Sequence, residues 1–153
     1  MAIVSVNTDI NIDLNKNKFT NDVGVVRDVN SIRQSLINII LTIPGEKPFN
    51  RGFGTRIEDF LFDNFDYSDS INTQMEIRKT VEAYEPRIEI ENVYLSDVPF
   101  YEGSVLGRME SNARATVSDS NQLYIYISYF LVKGTSNGVT VRDQIQIGVK
   151  RVR

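Results

Sequence analysis

Residues 85–98, EPRIEIENVYLSDV, are where the chain changes its hydrophobic period. Before Pro86 the apolar residues recur at helical spacing. After it, Ile88, Ile90 and the run from Val93 to Val98 read as a strand. Proline lacks an N–H and clashes with the preceding turn, so the helix before it must end at Tyr84–Glu85. Downstream, residues 122–133, QLYIYISYFLVK, alternate through Leu123, Ile125, Ile127, Tyr129 and Leu131. Tyr124, Tyr126 and Phe130 are apolar as well, so both faces of this strand are expected to be covered. The last strand alternates more cleanly. Val139, Val141, Ile145, Ile147 and Val149 share one face, and Thr140, Arg142, Gln144, Gln146 and Lys150 share the other. The polar stretch Gly134–Gly138 reads as the hairpin turn between these two strands. Helices first and an antiparallel sheet afterwards define an α+β fold, with N-terminal helices packed on a small C-terminal sheet.

Upstream of the switch, Val29, Ile32, Leu36, Ile39, Ile40 and Ile43 mark a first helix, with Asp28, Asn30 or Ser31 available as N-cap. Ser31 and Gln34 have the spacing of a capping box. Pro44 and Gly45 stop this helix by Thr42 or Ile43. Its second half, LINIILTI, is apolar on more than one stripe, which requires burial on several sides by the sheet or by a partner. A connector rich in Gly and Pro follows, residues 44–54, in which Phe49 and Phe53 are expected to anchor the loop. It lacks the Gly-Lys-Ser/Thr ending of a phosphate loop. A short helix from about Thr55 to Phe62 presents Ile57, Phe60 and Leu61, with Phe65 just beyond it. A third, starting near Ser68 or Asp69, carries Ile71, Met75, Arg78 and Val81. Length favours a single domain over 1–153. Residues 1–21 form an extended N-terminal arm in which Ile10, Ile12 and Leu14 alternate with polar residues. It is either a frayed end or edge strand, or an arm that orders on a neighbouring subunit. Residues 101–121 show no firm period and read as a long loop or weak hairpin.

Composition removes most chemistry. The 153 residues contain no Cys and no His, which excludes disulfides, thiolate nucleophiles, the commonest transition-metal ligand and every Ser-His-Asp or Cys-His arrangement. Net charge is -3, against a nucleic-acid partner, whose phosphates need a dense basic surface. No apolar run approaches the ~20 residues of a membrane span, and the N-terminus lacks a basic leader followed by an apolar core. No cofactor and no metal are expected; the lack of an Asp-x-Asp-x-Asp-Gly loop argues against a carboxylate-only Ca²⁺ site.

Three stretches in fixed order carry a resemblance. They are Ile40-Leu41-Thr42-Ile43-Pro44-Gly45-Glu46 at the first helix end, Gly52-Phe53-Gly54 before Ile57-Glu58-Asp59-Phe60-Leu61-Phe62-Asp63, and Glu85-Pro86-Arg87-Ile88 between helix and strand. Together they resemble the baseplate wedge, or sheath-initiator, proteins of contractile phage tails, which have relatives in type VI secretion baseplates and other injection machines. The match spans about Asp28 to Val98 well, and the two last strands in outline. It departs from the family pattern at Arg51-Gly52, where a Pro usually precedes the Phe-Gly pair, and in the longer 101–121 segment.

The resemblance implies a non-enzymatic wedge subunit of the tail baseplate, within a virion, assembled in the host cytoplasm. It implies a fold similar to the interlocking domain of the sheath protein. The implied partners are the tail sheath protein, wedge subunits with a helical core, and tail tube or hub proteins. The family's contact with the helical core falls here on Glu85, Pro86 and Arg87. From the residues themselves, Pro86 makes a rigid corner and Arg87 offers a planar five-donor fork. The plainer reading of that corner is a surface ion pair of Arg87 with Glu85 or an Asp, worth at most ~1 kcal/mol. The polar face and basic end of the last strand, Gln144, Gln146, Lys150 and Arg151, suit strand addition by a partner. The main rival is a lysozyme-like hydrolase working with carboxylates, for which Glu46, Glu58, Asp59, Asp63 and Asp66 are available. Of these, Glu58, Asp59, Asp63 and Asp66 cluster around a helix end as on an ordinary solvated face. A second rival is a generic adaptor or chaperone domain of the same fold outside any tail.

Overall fold

A computed structural model of the chain describes residues 7–62, 67–96, 122–132 and 141–150. Two short strands, β1 (Thr8–Ile10) and β2 (Val25–Arg27), precede three helices, α1 (Val29–Leu41), α2 (Ile57–Phe62) and α3 (Tyr67–Tyr84). Three strands follow, β3 (Ile88–Ser96), β4 (Gln122–Leu131) and β5 (Val141–Lys150). The sheet is antiparallel with the order β3-β4-β5, so β4 is central and β5 lies at an edge. The β4–β5 register is unbroken from Gln122↔Lys150 to Leu131↔Val141. The β3–β4 register shifts between Ile90 and Asn92, a bulge at Glu91.

The core lies between one sheet face and the helices. Leu123, Ile125, Ile127 and Tyr129 of β4, Ile145 and Ile147 of β5, and Ile88, Ile90, Val93 and Leu95 of β3 are all buried. Against them stand Ile32, Leu36, Ile39 and Ile40 of α1, with Ile57, Ile77 and Val81. Each such side chain removed from water contributes roughly 1.5–3 kcal/mol, which is why the period-2 pattern of β4 and β5 governs their register.

Several sequence expectations are corrected. The capping box does not form. Asp28 stands at the N-cap without a side-chain cap bond, and Ser31 is buried within the first turn. Gln34 instead reaches the arm, donating to the Ile10 carbonyl at 2.6 Å and accepting from the Ile12 N–H at 3.0 Å. On α3 the buried stripe is Ser70, Ile77 and Val81, whereas Ile71 and Met75 are exposed. Polar residues on the inner face and apolar ones outside disguise that stripe. Among the described residues, the second face of β4 is only half covered at Tyr124, Tyr126 and Phe130. Of the two loop aromatics, Phe53 packs on Tyr84, but Phe49 is fully exposed and anchors nothing within the chain. The arm strand β1 pairs with β2, and Ile10, Ile12 and Leu14 remain exposed. Phe65, Asp63, Asp66, the Gly134–Gly138 turn, Val139, Thr140, Arg151 and the 101–121 segment lie outside the described residues.

Candidate functional site

The α3–β3 corner is built by a turn. Glu85 N–H closes the last helical bond to the Val81 carbonyl at 2.8 Å, Pro86 bars continuation, and Ile88 N–H donates back to the Glu85 carbonyl at 3.4 Å. The turn folds Arg87 over Glu85. Its Nε and Nη2 donate to Oε1 at 2.5 Å and to Oε2 at 2.6 Å, a bidentate fork. The pair of the plainer reading therefore forms, but not on the surface. Glu85 is 2% exposed, while Pro86 is exposed and Arg87 half-buried. Burial pushes the Glu85 carboxyl up, and hydrogen bonds from Arg87 and Ser35 outweigh it, so its pKa lies below the ordinary range. The Glu85 hydrogen bond in turn raises the Arg87 guanidinium, with Asp9 of the arm adding a smaller share. A groove of about 750 Å³ between arm and α1 shares Asp9 and Ser35 with this corner and continues past Asn38, Leu41 and Tyr84.

Gln144, Gln146 and Lys150 lie elsewhere, on the opposite edge of the sheet. All three are exposed. Gln144 accepts a hydrogen bond from the Tyr126 hydroxyl on the outer face. Main-chain direction on β5 follows from one bond. Val132 N–H donates to the Arg87 carbonyl at 2.9 Å, so even-numbered β4 residues face β3 and odd-numbered ones face β5. In the Leu131↔Val141 register, the N–H and C=O groups of residues 142, 144, 146 and 148 then point away from the sheet. Two separate surfaces result: a buried ion pair under a proline corner, and a polar strand edge.

One ion pair of β5 is not anticipated by the sequence pattern. Asp143 occupies an inner-face position between Val141 and Ile145, where a carboxylate needs partners. Arg33 of α1 grips it with Nε at 2.9 Å and Nη2 at 2.6 Å, and the buried Tyr129 hydroxyl donates to it at 2.6 Å. Burial raises the Asp143 pKa, but the bonds from Arg33 and Tyr129 bring it below the ordinary value. Tyr129 is raised, by burial first and by Asp143 second. The charged residue interrupting an apolar face was the signal available in sequence.

Among the described residues no group of His, Cys, Asp and Glu could hold a metal ion. Among the described residues, the two carboxyls that the fold moves clearly, Glu85 and Asp143, are both moved down and kept ionised. That is opposite to what a general acid requires.

Residues 26–134 match the family described as baseplate wedge protein gp25. The chain belongs to that family, the baseplate wedge proteins of contractile tails. It is 31% identical over 101 residues to the baseplate wedge protein gp25 of Enterobacteria phage T4, covering 66% of this chain and 71% of the relative. Among solved structures it resembles a chain of the anti-feeding prophage baseplate, with a TM-score of 0.60, 20% identity, and 86% of this chain and 90% of that one covered. It also resembles a Geobacter sulfurreducens protein described as a candidate tail lysozyme, with a TM-score of 0.52, 21% identity, and 79% and 90% covered. At these identities the two structures speak to the fold alone.

Proposed function

We propose that this baseplate subunit is a structural adaptor without catalytic activity, joining the wedge to the tail tube and starting sheath assembly. The observation that carries the reading is the β5 edge, where residues 142, 144, 146 and 148 turn their main-chain groups away from the sheet. Such an edge accepts a strand from another chain through main-chain bonds, which persist while side-chain contacts are remade. The sheath protein supplies that strand, with Lys150 and Arg151 orienting it. Glu85, Pro86 and Arg87 dock the subunit on the helical core of the wedge, in a virion tail assembled in the host cytoplasm. The same role serves a phage tail or a related secretion or injection machine.

Amide hydrogen exchange tests this reading residue by residue. Adding purified sheath protein should slow exchange at Arg142, Gln144, Gln146 and Gly148. Ile145 and Ile147 already donate within the sheet and should change little. Unchanged exchange at the even-numbered amides would remove the β5 edge from the sheath interface.

A further inference from the structure

The connector between α1 and α2 contains two successive β-turns of one kind. In the first, Glu46 N–H donates to the Ile43 carbonyl at 3.0 Å, Pro44 holds the second position and Gly45 the third, with φ +98°. In the second, Asn50 N–H donates to the Lys47 carbonyl at 3.3 Å, Pro48 holds the second position and Phe49 the third, with φ +66°. A turn with proline second and a left-handed residue third is one that glycine fills without strain. The first turn obeys that rule and the second breaks it. The break brings no packing inside the chain, because the Phe49 side chain is fully exposed at 108%. Phe19, at the tip of the arm hairpin, is about as exposed, but its backbone is not left-handed.

The strained turn is also braced. The Lys47 ammonium lies 3.8 Å from the Phe53 ring centroid, Phe53 meets Tyr84 of α3 edge-on at 5.0 Å, and the Tyr84 hydroxyl donates to Asn50 Oδ1 at 3.2 Å. The residues on both sides of Phe49 are thus tied to the body of the domain. Backbone strain held by surrounding structure, beneath a large apolar side chain that touches nothing, is the arrangement of a preorganised binding anchor.

We propose that Phe49 is such an anchor, inserting into an apolar pocket on a neighbouring protein subunit of the baseplate. The proposal rests on the baseplate reading and adds a contact distinct from Arg87 and from the β5 edge. The exposed Lys47 and Arg51 flank the ring within two residues, so the pocket carries carboxylates on its rim. A protein pocket fits better than a lipid surface. One ring with an exposed Glu46 beside it offers little apolar area to a bilayer, whereas a single buried aromatic regularly dominates a protein interface.

The test compares Phe49→Gly and Phe49→Ala with the parent protein. Both variants lose the ring, but only glycine also releases the strain. The probe is baseplates assembled without this chain, and the readouts are affinity for them and the melting temperature of the isolated protein. Both variants should bind at least about tenfold more weakly, as expected for an interface hot spot. Phe49→Gly should also melt roughly 2–4 °C higher than the parent, and Phe49→Ala should not. Parent-like binding by both variants, with the parent bound, overturns the anchor and leaves the baseplate reading intact. Failure of the parent to bind these baseplates overturns both. Cosedimentation of the parent with phosphatidylglycerol–phosphatidylcholine vesicles that disappears in both variants, or dimerisation that depends on Phe49, assigns the ring to another partner and also overturns the anchor.

Discussion

Glu85 is almost wholly buried yet ionised, so its stability depends on two donors, Arg87 and Ser35. A carboxyl whose folded pKa is depressed contributes stability that is complete above its unfolded pKa and drains as pH falls through the folded one. For Glu85 that decline starts near its ordinary value of 4.5, and for Asp143 near 3.8. Urea midpoints at about pH 6 and about pH 3.5 should therefore fall more for the parent than for Glu85→Gln, which has no proton to gain at that position. Arg87→Ala is not a clean docking probe, because it strands a buried carboxylate; about 2–4 kcal/mol of stability should be lost. Combining it with Glu85→Gln should restore most of that loss, since an amide can still accept from Ser35. If the double variant is no more stable than Arg87→Ala, the buried pair is not what Arg87 holds together. The Glu-Pro-Arg corner was legible in sequence as a rigid turn, but the burial of Glu85 was not. One of its two donors, Ser35, lies far away along the chain. Phe49 was misread for a related reason: aromatic residues are mostly buried, and only the turn geometry reveals that this one points out.

At the scale of elements, β4 and β5 were the most legible part of the chain. Period-2 alternation allows one register that buries Leu123, Ile125 and Ile127 together with Ile145 and Ile147, and that register is the one formed. Helix α3 was the least legible, because Ser70 faces inward while Ile71 and Met75 face water. Two substitutions on β5 separate folding from function. Ile147→Asp puts a charge on the buried face and should abolish the cooperative unfolding transition. Gln146→Pro removes an outward N–H at an edge, where proline is tolerated, and should leave most of the fold intact by circular dichroism. Complete unfolding by Gln146→Pro would mean that this N–H is used inside the domain. The connector offers a third case. A Cβ added at Gly54 would lie 2.0 Å from the Thr42 carbonyl oxygen, at φ +108°. That carbonyl also accepts the Thr55 N–H at 3.0 Å, while the Thr55 hydroxyl satisfies Ile40 at the end of α1. Gly54→Ala should therefore lower stability by at least about 2 kcal/mol, read as a lower urea midpoint with unchanged slope.

For the whole molecule, the decisive features are absences of chemistry in sequence and an abundance of geometry in structure. The chain has no His or Cys, and among the described residues the clearly shifted carboxyls, Glu85 and Asp143, are held ionised by arginines. Incubated with peptidoglycan, the purified protein should release no more soluble fragments than buffer does. Release that vanished on mutating one Glu or Asp would reinstate the hydrolase. On the proposed function, the Glu85–Arg87 corner, the Phe49 turn and the β5 edge are three separate points of attachment to the baseplate. The most direct measurement is electron microscopy of tails grown on baseplates purified without this chain, counting tubes that carry sheath. Sheath should be missing on these baseplates, return when the parent protein is added, and stay missing when folded Gln146→Pro is added. Full sheaths on baseplates lacking the chain would contradict a role in sheath initiation outright.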